Sequence, residues 1–289
     1  MTDMDRFDMG PIDIAWCPGC GNFAILTALK RALNAIGMGP EGLVVVSGIG
    51  QAAKAPHYLR TNFFNGLHGR ALPAATAIKA ANPSLMVIAE SGDGDMYGEG
   101  GNHFLHAIRR NPDLTQIVHN NMVYGLTKGQ ASPTSLREFR TPLQTAGVTA
   151  EPFNPLAVAV ALGAGFVARA FAGDIPRTAA ILERAFRHRG YALVDVFQPC
   201  VAFNKLNTFS WFKEHAYDLG AEHDPADREA ALRLAGETGR YPLGVIFERQ
   251  GAPTFEETLV AYRDSSEPLF RREVDWGKWN AYVASRRVA

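Results

Sequence analysis

The sequence predicts an α/β protein with a doubly wound, mainly parallel sheet. An apolar run at residues 85–89, bounded by proline and glycine, is typical of a buried strand. A helical pattern at 98–110 and a second buried strand at 115–119 follow it, so the three elements form a βαβ unit. The same alternation returns at residues 166–197. Because ligands of such sheets bind beyond the carboxyl ends of the strands, we expect the functional site there.

Two helices are predicted from apolar residues that recur at helical spacing. The first follows Cys20, with Leu26, Leu29, Leu33 and Ile36 on one face and Lys30, Arg31 and Asn34 on the other. The second covers residues 98–110, ends at Asn111-Pro112, and has an apolar stripe of Gly101, Phe104, Leu105 and Ile108.

The α/β pattern continues beyond residue 150. Asn154 followed by Pro155 is a favourable helix start, because asparagine caps the first turn and proline suits its first position. A strand is expected at 166–171, a helix from Asp174 to about Arg189, ended by Gly190, and a strand at 192–197. We expect one domain over residues 1–289, with a core of about 1–200. Residues 201–289 are interpreted as a C-terminal extension over the core or a partner, with one more strand at 244–248.

Composition excludes several classes of partner. Lysine plus arginine equals aspartate plus glutamate at 29 each, and the pI is near 7.1, so nothing electrostatic indicates nucleic acid or an anionic membrane. The sequence has neither an early apolar signal region nor an apolar stretch of membrane-spanning length. We therefore expect a soluble, cytoplasmic protein.

Polar residues follow each of the two strands of the βαβ unit, and they are suited to holding a diphosphate through Mg²⁺. Asp93 offers a carboxylate oxygen, Asn121 an amide oxygen, and the Val123 carbonyl a third ligand. Gly92 and Gly94 permit close approach of the backbone, and the start of the following helix favours an anion.

Three other interpretations of the stretch after residue 90 are weaker. An EF-hand loop starting at Asp93 would need other residues at Tyr97 and Phe104. A nicotinamide fingerprint would place Asp93 against a pyrophosphate, or, at residues 48–53, would meet Pro56, which is expected to prevent a helix there. The third is an ordinary turn rich in glycine and aspartate.

Several motifs together resemble one family. Gly92-Asp93-Gly94, the 25 residues 95–119 and then Asn120-Asn121 are similar to the GDG…NN signature of thiamine-diphosphate enzymes. Over roughly the first 210 residues, the motifs resemble the β subunit of 2-oxoacid:ferredoxin oxidoreductases of the pyruvate and 2-oxoglutarate type. They occur in this order: 15–22 (AWCPGCGN), 46–50 (VSGIG), 67–71 (LHGRA), 124–134 (YGLTKGQASPT) and 198–200 (QPC).

The resemblance implies a thiamine diphosphate and Mg²⁺ site. Lys54, Leu126 and Lys128 are then expected near the substrate, with Lys54 close to its carboxylate, and His68 is expected to approach the cofactor. The residues expected to hold thiamine diphosphate are Ile49, Gly50, Gln51, Ala52, His68, Gly92, Gly94, Asp95, Gly125 and Leu126.

The cysteines have more than one interpretation. Read alone, Cys17 and Cys20 before a helix are compatible with a redox dithiol, half a zinc site or two buried thiols. The resemblance implies that Cys17, Cys20 and Cys200 bind a [4Fe-4S] cluster, but Gln51 occupies the place of the fourth cysteine, and an amide is a poor iron ligand beside thiolates. We expect a retained but labile cluster; a three-iron cluster and the absence of a cluster stay open.

The resemblance also implies an activity. A 2-oxoacid, 2-oxoglutarate rather than pyruvate, is decarboxylated on thiamine diphosphate, electrons pass through the cluster to ferredoxin, and coenzyme A takes the acyl group. No general base is assigned to this chain, so activity is expected only with an α subunit, in an αβ or α2β2 assembly. Two alternatives stay open: a non-oxidative thiamine-diphosphate-dependent decarboxylase, and a non-catalytic electron-transfer subunit.

Overall fold

The chain is organised around one eight-stranded sheet. The computed structural model describes residues 6–286, so the first five and last three residues of the expected domain lie outside the described part. In spatial order the strands run β2-β1-β3-β4-β6-β5-β8-β7. Their bounds are β1 Leu43–Ser47, β2 Asn62–Asn65, β3 Met86–Gly92, β4 Thr115–Asn120, β5 Phe166–Phe171, β6 Ala192–Phe197, β7 Ala216–Asp218 and β8 Tyr241–Glu248.

The pairing of the strands explains their composition. All neighbours are parallel except β5 and β8, which are antiparallel. Every residue of β1, β4, β5 and β6 is buried, as expected for strands covered on both faces. The fold is therefore the mainly parallel α/β class that the sequence predicts.

Helices cover both faces of the sheet. On one face α1 and α5 pack against each other and against the strands, and on the other face α2, α3, α4 and α7 do so. The α-helices are α1 Asn22–Ala35, α2 Ala71–Ala81, α3 Gly101–Arg110, α4 Pro155–Ala161, α5 Ile175–Arg187, α6 Phe209–His215, α7 Arg228–Ala235, α8 Phe255–Thr258 and α9 Trp276–Ser285.

Local signals placed several elements correctly. The Asn154 side chain accepts from the Ala157 amide and caps α4, and the Asp174 side chain accepts from the Arg177 amide and caps α5. Strands β5 and β6 have the expected bounds. Helix α3 ends at Arg110, where Asn111 adopts the left-handed conformation.

Other predictions were wrong in detail. Residues 94–99 form a π-helix before α3, and Leu105 is 41 % exposed rather than part of the buried stripe. Helix α5 ends at Arg187, two residues before the predicted end at about Arg189. A 3-10 helix, rather than the long α-helix of a nicotinamide fingerprint, spans Ala52–Tyr58 and contains Pro56.

The C-terminal segment is integrated into the sheet. Strand β8 begins at Tyr241, three residues before the expected start, and pairs with β5, while α7 packs on α4. The backbone amide of Asp113 donates to Glu256 Oε1 at 3.1 Å, and Lys79 pairs with Asp113 at 2.7 Å. These contacts fix α8 beside the amino end of β4. Within residues 6–286, no helix combines the length and apolar character that a bilayer crossing requires.

Candidate cofactor site

The polar residues after β3 and β4 meet at one edge of the sheet. Strand β3 ends at Gly92, which lies in register with His119 of β4, and Asn121 follows directly after β4. Asp93 then starts the π-helix Gly94–Glu99, whose residues Asp95, Met96 and Tyr97 are buried. Tyr97 and Phe104 belong to the protein core, so an EF-hand loop is excluded.

Asp93 is buried and held by two hydroxyl groups. Its side chain is 1 % exposed, and its Oδ2 accepts from Ser132 Oγ at 2.5 Å and from Thr134 Oγ1 at 2.6 Å. Burial raises the pKa of Asp93 to about 6, although both hydroxyls oppose the shift. Both hydroxyls contact Oδ2, and a cation bound at this carboxylate would favour its ionised form.

A cavity of about 340 Å³ opens beside Asp93. Its walls contain the expected metal ligands Asp93, Asn121 and Val123. They also contain every residue expected to hold the cofactor: Ile49, Gly50, Gln51, Ala52, His68, Gly92, Gly94, Asp95, Gly125 and Leu126. The structure thus brings together residues from four separate segments of the sequence.

The two lysines expected near the substrate do not line the cavity beside Asp93. Lys54 is half-buried in the 3-10 helix, and its backbone amide donates to the Gln51 carbonyl at 3.3 Å. Lys128 is exposed in the loop after Leu126 and has a positive φ of 82°. Of the three expected substrate residues, only Leu126 lines the cavity.

Asp95 fixes the two loops on the far side of the cavity. Its Oδ1 accepts from the Gly69 amide at 2.8 Å and from the Ile49 amide at 3.1 Å. Burial raises its pKa. A Cβ atom at Gly48 would lie 2.0 Å from Asp95 Oδ2, so this carboxylate and a side chain at residue 48 exclude each other. Asp95 therefore positions the loops that carry His68 and Ile49.

Several residues of the site were not predicted from the sequence. Glu99, Tyr124, Thr127 and Gln130 line the same cavity. The Tyr124 hydroxyl donates to Glu99 Oε1 at 3.2 Å, and burial raises the pKa of Tyr124. Ser132 and Thr134 lie within the quoted motif 124–134, so their hydroxyl groups were a signal that could have been assigned to Asp93.

The cysteines and Gln51 surround a second, smaller cavity of about 40 Å³. Cys17, Cys20 and Cys200 are free thiols that line it. Gln198 Nε2 donates to Cys20 Sγ at 3.4 Å, and burial raises the pKa of Cys20 to about 11. Burial thus favours the protonated form of the Cys20 thiol, and binding to iron would deprotonate it.

Gln51 connects this cavity with the one beside Asp93. Its backbone carbonyl accepts from Trp16 Nε1 at 2.7 Å, which ties it to the segment before Cys17. Its Oε1 atom is buried and has no hydrogen-bond partner within residues 6–286. Gln51, Asn121 and Gly125 line both cavities. A group bound by the cysteines would therefore be separated from the larger cavity by a single wall.

The residues of the two cavities suit Mg²⁺ and an iron-sulfur cluster in different ways. Among residues 6–286, no three His, Cys, Asp or Glu side chains are grouped to hold a single metal ion. Mg²⁺ commonly takes one or two carboxylates and completes its shell with phosphate oxygens and water, so Asp93 and Asn121 suit Mg²⁺ that arrives with a diphosphate. Three thiols around one cavity, with Gln51 also in its wall, are donors that an iron-sulfur cluster with one weak corner would use.

Comparison with known proteins agrees with this geometry. Residues 45–196 match the family described as "Thiamine pyrophosphate enzyme, C-terminal TPP binding domain". Residues 200–264 match the family for the C-terminal part of the pyruvate ferredoxin oxidoreductase beta subunit. The similarity therefore extends beyond the roughly 210 residues covered by the motifs.

Two curated relatives are described as beta subunits of 2-oxoacid:ferredoxin oxidoreductases. The protein from a Sulfolobus species is 41 % identical over 260 residues, with 85 % of each chain covered. Subunit beta of oxidoreductase 1 from Aeropyrum pernix is 43 % identical over 257 residues, covering 85 % of this chain and 81 % of its own.

A solved structure is similar over the whole chain. It is the 2-oxoglutarate:ferredoxin oxidoreductase from Magnetococcus marinus with 2-oxoglutarate, coenzyme A and succinyl-CoA bound. The TM-score is 0.91 at 34 % identity, and the match covers 100 % of this chain and 97 % of the other.

Proposed function

Since the chain belongs to the family of 2-oxoacid:ferredoxin oxidoreductase β subunits, we propose that its complex oxidatively decarboxylates 2-oxoglutarate in preference to pyruvate. The products are the acyl-CoA, carbon dioxide and reduced ferredoxin. The observation that carries the proposal is the cavity whose walls unite Asp93, Asn121 and Val123 with the residues expected to hold thiamine diphosphate. The substrates named for the Magnetococcus marinus structure support the choice of 2-oxoglutarate.

Asp93, Asn121 and the Val123 carbonyl hold Mg²⁺ in this proposal. Ser132 and Thr134 keep the Asp93 carboxylate in position, so little reorganisation is needed when the metal arrives. Thiamine diphosphate, when bound, supplies the nucleophilic carbon that decarboxylation of a 2-oxoacid requires. The chain itself binds and orients the cofactor and excludes water from it.

The three cysteines hold a [4Fe-4S] cluster whose fourth corner faces Gln51. The buried, partnerless Gln51 Oε1 supports this arrangement. The wall shared by the two cavities supports electron transfer from the cofactor to the cluster and on to ferredoxin. One weak ligand makes the cluster more labile than four thiolates would.

The acid end of the substrate lies toward Leu126, which is 38 % exposed at the cavity wall. Lys54 and Lys128 act from outside the wall by attracting the substrate carboxylate. Both lysines are near segments that line the cavity, at Ala52 and Thr127 respectively. We assign no general base to this chain.

The open side of the site is the interface with an α subunit. Strand β2 is an edge strand with Phe63 49 % and Phe64 48 % exposed, and Leu67 in the following loop is 74 % exposed. The adjacent residue His68 lines the cofactor cavity. An apolar edge beside a binding site is typical of a partner interface. Within such an αβ or α2β2 assembly, residues 1–289 act as one thiamine-diphosphate-binding domain with a C-terminal extension from residue 201.

The test is an assay of the chain co-purified anaerobically with its α subunit. We expect reduction of ferredoxin, or of a one-electron dye, that depends on 2-oxoglutarate, coenzyme A and thiamine diphosphate, and that is slower with pyruvate. Asp93→Asn should abolish Mg²⁺-dependent binding of thiamine diphosphate, measured by calorimetry. The β chain alone should be inactive.

Two outcomes would favour the alternatives. Cofactor binding with aldehyde release and no coenzyme-A-dependent dye reduction would indicate a non-oxidative decarboxylase. Iron in a complex that does not bind thiamine diphosphate would indicate an electron-transfer subunit.

A further inference from the structure

A buried arginine lies on β5 where the neighbouring sequence is apolar. Arg169 is 6 % exposed and lies in register with Asp195 of β6. Its Nε is 3.6 Å from Asp195 Oδ1, an ion-pair distance that is longer than a hydrogen bond. Its guanidinium carbon lies 4.7 Å from the centre of the Phe197 ring. Burying a guanidinium is costly unless its N–H groups are paired.

The charge of the Arg169 guanidinium is balanced by Asp195 at ion-pair distance, but within residues 6–286 its N–H groups make no hydrogen bond of normal length. Nε is buried without a hydrogen bond, and neither terminal nitrogen donates to any residue among 6–286. Asp195, in contrast, accepts from the Tyr97 hydroxyl at 2.8 Å and from Asn120 Nδ2 at 3.1 Å. The carboxylate is satisfied by other donors, while the arginine is not.

Arg169 lines a cavity of about 550 Å³, here called the Arg169 cavity. It shares no lining residue with the cavity beside Asp93, but one of its wall residues, Thr134, donates to Asp93. The rest of the wall comes mainly from the loop 134–155 and from residues after 196. The cavity is thus a separate space behind the proposed metal ligand.

Two further donors at the Arg169 cavity lack a hydrogen bond within residues 6–286, whereas most other polar residues of its wall, such as Asn120 and Asn154, are hydrogen-bonded. The Trp211 indole N–H and the Tyr241 hydroxyl line it and have no hydrogen bond to residues 6–286. The two acidic side chains at the rim are already engaged. Glu151 pairs with Arg137 at 2.7 Å, and Glu237 accepts from Tyr217 at 2.7 Å.

The remaining wall is aromatic. Trp211 stacks on His215 with ring centres 4.2 Å apart, and Phe153, Phe197 and Tyr241 complete the apolar surface. A concave apolar surface with a few convergent donors is the usual form of a small-molecule site. A ligand that satisfies these groups needs hydrogen-bond acceptors at one end and a flat apolar body at the other.

We propose that the Arg169 cavity binds a small organic carboxylate with a planar apolar body. The carboxylate pairs with the terminal nitrogens of Arg169, whose fork geometry suits two parallel hydrogen bonds. The apolar body lies against Trp211 and Tyr241. This site goes beyond the proposed function and does not depend on it, since binding there requires neither the cofactor nor turnover.

The test uses benzoate as the probe and neutral benzamide as its isostere. Binding to the chain co-purified with its α subunit is measured by calorimetry and by the change in tryptophan fluorescence, without 2-oxoacid or coenzyme A. We expect saturable binding of benzoate at least about tenfold tighter than that of benzamide, because the charge-assisted pair is lost in the amide.

Two variants locate the site. Arg169→Met should weaken benzoate binding at least about tenfold, which is the loss of one charged pair. Because Arg169→Met leaves Asp195 without its cation and can impair folding, Thr238→Trp is the second variant. Thr238 is an exposed wall residue, and the indole should fill the mouth without touching the Arg169–Asp195 pair.

Arg187→Met is the control, because Arg187 is exposed, paired with Glu183 and absent from the cavity wall. It removes the same charge and should leave benzoate binding unchanged. The proposal is overturned if benzoate does not bind, if benzamide binds equally well, or if folded Thr238→Trp binds benzoate as tightly as the parent complex.

Discussion

The Thr134 hydroxyl donates to Asp93 Oδ2 at 2.6 Å and lies 2.9 Å from Asn120 Oδ1. One hydroxyl thus joins the proposed metal ligand that follows β3 to the end of β4. Its position favours the ionised form of a carboxylate whose burial favours the protonated form.

Removing this hydroxyl should weaken cofactor binding. Thr134→Val keeps the shape of the side chain but leaves Asp93 with fewer donors, so the carboxylate is less readily ionised and less well positioned. We expect the Kd of Mg²⁺-thiamine diphosphate to rise about tenfold, measured by calorimetry on the complex. Thr76→Val is the matched control, since that hydroxyl donates only to the Leu72 carbonyl in α2. An unchanged Kd in Thr134→Val would contradict the assigned role.

Replacing Gln51 should change the stability of the cluster. Gln51→Cys places a fourth thiolate at the cavity of Cys17, Cys20 and Cys200. We expect the parent protein to give a three-iron EPR signal after mild oxidation, whereas Gln51→Cys keeps four irons. Iron and sulfide analysis checks both proteins. Cys200→Ser, as control, should lower the iron content, and equal lability of the parent and Gln51→Cys would show that Gln51 is not at the fourth corner.

Replacing Gly69 with alanine should lower the unfolding free energy more than replacing Gly37 does. Both glycines have positive φ, of 66° and 70°. A Cβ at Gly69 would lie 2.4 Å from the Glu99 carbonyl carbon, whereas nothing lies within 4 Å of a Cβ at Gly37. Gly37→Ala should cost about 1–2 kcal/mol of unfolding free energy from backbone strain alone. Gly69→Ala should cost more, and denaturant titration that finds equal costs would contradict the close contact.

The contributions of the adjacent residues Glu256 and Glu257 to the unfolding free energy should change with pH in opposite directions. Burial raises the pKa of Glu256, with Lys79 and Asp113 nearby, so its contribution to stability is present at low pH and is lost as pH rises. Hydrogen bonding from the Thr254 amide, with Arg189 nearby, lowers the pKa of Glu257, so its contribution is present at neutral pH and is lost as pH falls.

We therefore expect Glu256→Gln to raise the unfolding free energy at pH 7. Glu257→Gln should lower it by about 0.5 kcal/mol, because the amide keeps the capping box at Thr254 but loses the negative charge that faces the Thr254 amide and Arg189. Denaturant titrations between pH 4 and 7 check both changes. Changes of the same sign at pH 7 would contradict the assigned pKa shifts.

The sequence was sufficient where local patterns determine structure. Strands such as Phe166–Phe171 are buried on both faces and read as apolar runs, and the caps at Asn154 and Asp174 are local hydrogen bonds. The convergence of Asp93 and Asn121 follows from parallel topology, since both come after neighbouring strands.

Contacts between residues that are far apart in the sequence were harder to predict. Arg169 and Asp195 interrupt apolar strands, but their register, and hence their pairing, depends on the order of β5 and β6 in the sheet. Strand β2 is short and exposed, without the apolar alternation that indicates a strand. The positions of Lys54 and Lys128 outside the cavity wall depend on the 3-10 helix and on a positive φ, neither of which the motifs reveal.

The antiparallel pairing of β5 with β8 also constrains how the chain folds during synthesis. β8 begins about 70 residues after β5 ends, so one edge of β5 stays unpaired after β6 has covered the other. At a typical rate of translation this delay is on the order of 4–14 s. During this time the unpaired edge of an apolar strand can form hydrogen bonds with strands of other nascent chains. We therefore expect chains truncated before Tyr241 to aggregate, although they carry every residue of the proposed cofactor site.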